Sequence, residues 1–523
     1  MSGSIKKTQN LVHRLGLTRL AGITLACLVF SGGAQAAVPG ITGTSFTLTA
    51  GETVQTHPDG SYLYSWGYGC ASTPSPSFAP FSGNCPAAQI PGPTLIVTEG
   101  QTVTVTLANA LPVAAGNTSI VFPGMAVTAT GGVQGMLAQE ATSASPVTYT
   151  FTPTHPGTYA YYSGTQTDLQ IEMGMYGALI VLPSAMPATC TSLNAELGGR
   201  TDYRLAASAY DHPQTCYDRE YLFQFAEVSS RVHKQVKDAL AASTCTAAPC
   251  PTLNVQVEPY HPEFFTINGR SMPDDMDPAY APMYPNQPYN GNPHMHPGET
   301  LLMRIIGQGR WQHPFHFHAN HARVIARDGN MLLSANDPNA SATNPATLAG
   351  PLLFTTPTVP GQTQDQLFTW TGKGLNWDVY SHLATDSPAV ACVPDANGYY
   401  TVNSSPPAPA NAPNYGEWCA DHNKPIPVTP PDPLIVVNGL WYGGTPYLGL
   451  SATHSQVQVA GQNQGYNATS LPPGFSNQNP TAGYAYMWHS HNEREITTNN
   501  VFPGGMMMML IIDPPSAPID ETL

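Results

Sequence analysis

Thr94-Leu-Ile-Val-Thr-Glu-Gly-Gln-Thr-Val-Thr-Val-Thr-Leu107 is the stretch that decides the fold class. Thr94 to Thr98 is a β-branched run. Thr102 to Leu107 alternates between Thr and apolar residues, and Glu99-Gly100 lies between the two as a turn. Period-two alternation sends successive side chains to opposite faces of a strand, so one face is apolar and the other polar. The same grammar extends in both directions. Tyr149-Thr-Phe-Thr152 and Gly177-Ala-Leu-Ile-Val181 read as strands, as do Leu253 to Val257, Phe264 to Asn268, Thr300 to Ile306 and Arg323 to Ala326. One helix is predicted, Ser230 to Ala241, with Val232, Val236 and Leu240 on one face. The Pro-, Asn- and Gly-rich stretch from about Asp395 to Asn479 reads as long surface loops. Short strands at this spacing predict an all-β chain of sandwiches or barrels.

Composition agrees. Of 523 residues only 10% are charged, while Pro (52) and Gly (47) are abundant, a turn-rich β balance and not a helical one. A formal net charge of −15 argues against nucleic acid or anionic lipid as a partner. The first 36 residues read as a signal peptide: Lys6, Lys7, Arg14 and Arg19, then the apolar run Leu20 to Phe30, then Ala34-Gln35-Ala36 as a small-x-small cleavage site before Ala37. That run is too short to span a bilayer comfortably, and no later segment is long and apolar enough. An exported chain, periplasmic or extracellular, is therefore expected. Cys27 would leave with the leader. Eight cysteines remain, and the plausible local disulfides are Cys70/Cys85, Cys190/Cys216, Cys245/Cys250 and Cys392/Cys419.

Two histidine motifs carry the chemistry. His313-Pro-Phe-His316-Phe-His318 and Trp488-His489-Ser490-His491 each place histidines two apart, hence on one face of a strand. His316, His318, His489 and His491 converge, in this reading, on one metal ion; three or four imidazoles suit copper, zinc or nickel. The alternative is a set of histidines that hydrogen-bond to one another or to water. His313 either extends the site or caps a strand. His294-Met295-His296 and Met506-Met-Met-Met509 are lesser candidates, read as a loop and as a final strand.

On these residues the chain resembles the three-domain multicopper oxidases, the family of laccases and bacterial copper-resistance oxidases. Pro-Gly-Pro-Thr-Leu (91–95) is similar to the opening of the family's first domain, and 157–181 to the segment that ends it. The two histidine motifs are similar to its third-domain copper motifs. The resemblance implies three cupredoxin-like Greek-key β-sandwich domains, at 37–189, 190–283 and 284–523 after the leader at 1–36, with copper as the cofactor. Family members use four His-x-His pairs around a three-copper cluster, fed with electrons through a cysteine by a blue-copper site.

This chain departs from that pattern. The first-domain His-x-His-Gly falls on Val121-Phe122-Pro123-Gly124, and His-Ser-His on Tyr162-Ser163-Gly164. The relay cysteine is Ser490, the second blue-copper histidine aligns with Glu495, and Met506 matches the axial methionine. A hydroxyl is a hard, barely acidic donor and cannot replace a thiolate on copper. Tyr162 is expected to fill vacated volume and Glu495 to lie in a salt-bridged surface loop. The expected protein binds or carries copper through a His-rich pocket built from His313, His316, His318, His489 and His491. The rivals are a copper-dependent oxidoreductase of reduced copper count, acting on a metal ion or a phenol, and a structural or assembly protein. A redox protein, or a second subunit supplying missing ligands, is the macromolecular partner considered.

Overall fold

The structure is a computed structural model. It describes residues 38–71, 76–79, 83–191, 202, 204–341, 344–374, 378, 389–409, 412, 414–424, 444–447, 483–513 and 519. The expected leader, with Cys27 and the Ala34 to Ala36 cleavage site, lies outside the described residues, as does most of the expected loop region between Asp395 and Asn479.

The first half is a sandwich of eleven strands: β1 (Ile41–Thr42), β2 (Ser45–Thr56), β3 (Tyr62–Cys70), β4 (Leu95–Thr98), β5 (Val103–Asn109), β6 (Thr128–Gly131), β7 (Val133–Gln134), β8 (Gln139–Glu140), β9 (Val147–Phe151), β10 (Gly157–Tyr162) and β11 (Tyr176–Leu182). One sheet runs β1-β4-β11-β10 and the other β3-β2-β5-β9-β6, with β7 and β8 a separate pair. The alternation in the opening stretch does what period two requires: β5 buries Val103, Val105 and Leu107 and turns its threonines outward. β4 and β5 do not pair as a hairpin. Gly100, at φ +77, lets the chain turn from one sheet to the other, so Leu95 and Val97 meet Val103, Val105 and Leu107 across one core.

Thirteen further described strands follow: β12 (Arg219–Val228), β13 (Phe264–Ile267), β14 (His294–Met295), β15 (Thr300–Gly307), β16 (His313–Phe317), β17 (Ala322–Arg327), β18 (Asn330–Met331), β19 (Leu352–Leu353), β20 (Thr355–Thr358), β21 (Thr363–Thr369), β22 (Gly444–Tyr447), β23 (Gly483–Ser490) and β24 (Met507–Ile512). A sheet ordered β13-β12-β15-β21-β17-β18, with β19 on β17, faces a sheet ordered β14-β24-β23-β16-β20, with β22 on β23. Between them Phe225 packs on Phe315 at 4.7 Å, and Trp488 meets Phe223, Phe315, Phe317 and Phe368.

The fold is all-β and of cupredoxin-like sandwiches. The grouping of its strands differs from the domain division expected at 190–283. Among the described residues that segment forms no sheet of its own. β12 is buried at every position, and a strand buried on both faces needs a ladder on both edges; it finds them antiparallel on β13 and parallel on β15. Helix α1 (Ser230–Ala242) buries Val232 and Val236 against the first sandwich. The strand expected over Leu253 to Val257 does not form: that stretch joins no ladder, and the Val255 N–H donates to the Leu253 carbonyl at 3.1 Å. The Arg231 guanidinium donates to the carbonyls of Gln256, Val257 and Pro259 instead, at 2.7, 2.8 and 2.7 Å.

A buried polar network joins the two sandwiches. Arg304 on β15 donates to Glu220 on β12 (2.8 Å) and to Thr158 Oγ1 on β10 (3.0 Å). Asp365 on β21 accepts from Thr158 Oγ1 (2.6 Å) and from the Tyr210 hydroxyl (2.6 Å). All four expected disulfides are present, Cys70–Cys85, Cys190–Cys216, Cys245–Cys250 and Cys392–Cys419. Among the described residues no helix is long and apolar enough to cross a membrane.

Candidate metal centre

β16 and β23 lie side by side, antiparallel, with His316 directly opposite His489 and Phe317 opposite Trp488. The aromatic residues of each strand point into the core. Histidines at even spacing on the same strands must therefore emerge together on the other face. His318 continues β16 by one residue, and His491 continues β23, its N–H donating to the Pro314 carbonyl at 2.8 Å. Four rings converge. His316 lies 4.9 Å from His318, 5.4 Å from His489 and 4.9 Å from His491, centroid to centroid; His318 to His489 is 5.2 Å and His489 to His491 is 5.5 Å.

The donor atoms sit closer. One ligand nitrogen each from His316, His318 and His489 lies within 4.8 Å of the others, and His318 Nε2 to His489 Nε2 is 3.3 Å. Bonds of about 2.0–2.1 Å at a tetrahedral angle separate two ligand nitrogens by about 3.3–3.4 Å, so this pair fits one ion with little movement. The same distance suits an imidazole–imidazole hydrogen bond. Outer contacts fix two of the rings. His489 Nδ1 donates to the Ser490 carbonyl (2.7 Å), which leaves Nε2 a bare lone pair, and His316 Nδ1 bonds Thr355 Oγ1 (2.7 Å). Burial first, then the neighbouring imidazoles, push the His316 pKa down to about 4; burial also lowers that of His489. Both are neutral near pH 7, the form that ligates. His316 and His489 are buried, His318 is half-buried, and the side chain of His491 is 54% exposed, so the cluster opens to solvent on its His491 edge.

His313 is not brought into this cluster. Its ring is wholly buried among the core-facing residues, with Nε2 3.0 Å from Glu227 Oε2 and Nδ1 2.9 Å from Glu495 Oε2. Burial alone would lower its pKa, but the two carboxylates overcome this and raise it to about 9. An imidazolium engaged at both nitrogens has no lone pair to offer a metal. Glu495 likewise departs from the expected surface loop. It is 1% exposed, accepts from Ser490 Oγ (2.5 Å) and Asn492 Nδ2 (2.8 Å), and closes an ion-paired cluster where the resemblance sets a blue-copper site. Glu227 also accepts from the backbone N–H groups of Arg310 and Trp311.

The positions that replace the first-domain histidines lie together. Val121 and Tyr162 bridge each other by backbone hydrogen bonds of 2.8 and 3.3 Å. The half-buried Tyr162 ring packs against two apolar clusters at the sandwich interface, one holding Leu222 and Ile306 and the other Ile90, Tyr176 and Ala226. Met506 and Met508 are fully buried in the second core, as a final strand requires. Of the His294-Met295-His296 motif, expected as a loop, His294 and Met295 form β14 with Met295 buried, and His296 follows it. His294 pairs with Asp513, and His296 with Glu299 and Arg219. A second donor group, Cys392, Glu417 and His422, has its sulfur committed to the Cys392–Cys419 disulfide.

Sequence reading missed Thr355 and Glu227. Thr355 carries no local signal. Glu227 does carry one: an acid inside the apolar run Tyr221 to Val228 is a buried charge that needs a partner.

Residues 86–186 match the family model of the multicopper oxidases. No curated protein matches the chain. Among solved structures, a blue copper oxidase from Nitrosomonas europaea is 14% identical with a TM-score of 0.43, over 91% of this chain and 85% of the other. The multicopper oxidase mgLAC is also 14% identical, at 0.42, over 93% and 88%. A copper nitrite reductase from Nitrosomonas europaea is 19% identical, at 0.36, over 63% and 85%.

Proposed function

We propose, for a chain whose residues 86–186 are of multicopper oxidase type, that it is an exported copper-binding protein with one degenerate centre: His316, His318 and His489, with His491 completing the set at the solvent edge. The supporting observation is the convergence of three imidazole donors within 4.8 Å of one another from neighbouring strands. Three nitrogens and an open position suit copper(II). Bound there, copper would supply one-electron redox chemistry. Burial keeps His316 and His489 neutral, outer contacts hold their Nδ1 atoms, and the His491 edge is left open. Four-electron oxygen reduction is not expected. Ser490 offers no thiolate, His313 is held as a cation by Glu227 and Glu495, and Val121, Pro123, Tyr162 and Gly164 stand where the family pattern sets four imidazoles.

A second reading, a reduced-count oxidoreductase acting on a metal ion or phenol, is favoured by the exposure of His491, which lets an external reductant reach the centre. The same open edge is where a partner subunit or redox protein would add a ligand. Copper loading followed by dialysis tests the first reading. Wild type should retain a single copper, and His318→Ala and His489→Ala should weaken its binding by about 10-fold or more. Preference for zinc over copper would correct the metal. Retention of neither ion by wild type would leave the structural or assembly role. Oxygen uptake with a phenol, abolished in His489→Ala, would favour the second reading over simple carriage.

A further inference from the structure

We infer that Glu495, anchored through His313 to Glu227, is a positioning residue that sets the orientation of His489 and His491. A continuous line of buried contacts carries the inference. Glu227 on β12 is fixed by the N–H groups of Arg310 and Trp311 at 2.6 and 3.0 Å. Its other oxygen holds His313 on β16 at 3.0 Å, and the far side of that ring holds Glu495 at 2.9 Å. Glu495 Oε2 receives Ser490 Oγ, and the Ser490 carbonyl receives His489 Nδ1 at 2.7 Å. Glu227, His313, Ser490 and Glu495 are each 2% exposed or less.

The carboxylates grip opposite nitrogens of one ring, so they do not converge on a common ion. The imidazolium is itself the cation between them. Glu495 also closes the turn that follows β23. It accepts Asn492 Nδ2 at 2.8 Å, Met506 N–H donates to its carbonyl at 2.8 Å, and Ser490 N–H donates to the Met506 carbonyl at 2.8 Å. Gly505, at φ +66, passes so near the Glu495 carbonyl that a Cβ there would collide with it. Ser490 lies between the two histidines in sequence and points to the opposite face. Pinning its hydroxyl on the core side holds the Ser490 backbone in place, and with it the carbonyl that accepts from His489 Nδ1 on the other face. The carbonyl that chooses the His489 tautomer is thereby held still, as outer contacts do for metal-binding histidines elsewhere.

The inference rests on the proposed copper site for its use, and its test does not need the metal. Glu495→Gln keeps the shape and an acceptor for Ser490 but drops the charge facing His313. Ser490→Ala leaves the ion pair whole and removes the hydroxyl by which Glu495 holds the Ser490 backbone. In metal-free, histidine-labelled protein, imidazole nitrogen resonances of wild type should show His489 as the Nδ1–H tautomer, assigned by its absence in His489→Ala. In both variants that signal should move toward the Nε2–H form, and copper affinity should fall by about tenfold. If Glu495→Gln does not fold, Ser490→Ala alone decides. Unchanged His489 resonances in a folded variant would overturn the inference whether or not wild type binds copper. Failure of wild type to bind copper would instead strike the proposed function, leaving the tautomer result to stand or fall separately.

Discussion

His313 has two carboxylates on one buried ring, and its protonation contributes most to stability where the free imidazole is protonated as well. Its ordinary pKa of 6.5 rises to about 9 in the fold. A group whose pKa is raised on folding adds stability that is complete below pH 6.5 and is lost as pH climbs through 9. Urea midpoints should therefore fall between pH 6.5 and 9 in wild type. In His313→Gln that slope should be much flatter, and the variant should be less stable at pH 6 by about 3 kcal/mol, because it leaves Glu227 and Glu495 buried without the cation between them. An unchanged slope in the variant would show that other groups carry the pH dependence. Individual residues were unevenly legible in the sequence. The four clustered histidines announce themselves by spacing. His313 carries the same letter in the same motif, yet three residues before His316 on a strand is the opposite face. Glu227, its partner, is 86 residues away in sequence.

β16 and β23 place the site, and what holds them is the aromatic layer beneath. Trp488 is fully buried against Phe223, Phe315, Phe317 and Phe368 while its neighbour His489 faces the cluster. Trp488→Ala should cost about 3–5 kcal/mol in a urea melt and widen the imidazole cluster, weakening copper retention at temperatures where the chain is still folded. Full copper affinity in that variant would mean that the histidines are positioned from elsewhere. Elements with one solvent-facing side were legible: β5 advertises itself through alternation. β12 reads Arg219-Glu-Tyr-Leu-Phe-Gln-Phe-Ala-Glu-Val228, and nothing local says that it lies between β13 and β15. A strand buried on both faces shows no alternation, and its partners are chosen by long-range pairing. Leu253 to Val257 fails the other way, looking like a strand while its neighbouring carbonyls are taken by Arg231.

At the scale of the molecule, two sandwiches share the Arg304–Glu220–Thr158–Asp365–Tyr210 network. Asp365→Asn leaves Arg304 with less charge compensation and should destabilise by about 2 kcal/mol, broadening the calorimetric transition as the sandwiches uncouple. A single sharp transition at the wild-type temperature would remove that network from the coupling. The all-β class was readable from composition and alternation alone. The assignment of 190–283 to the sheet of the following strands was not, since composition does not change across that boundary. The proposed centre is a copper site pared down to one cluster of imidazoles, beside an ion-paired glutamate and histidine with a serine where the resemblance sets a thiolate centre. Copper content and the visible spectrum of copper-reconstituted full-length protein test this together. One copper per chain without an intense blue band is the predicted result; several coppers with that band would contradict it.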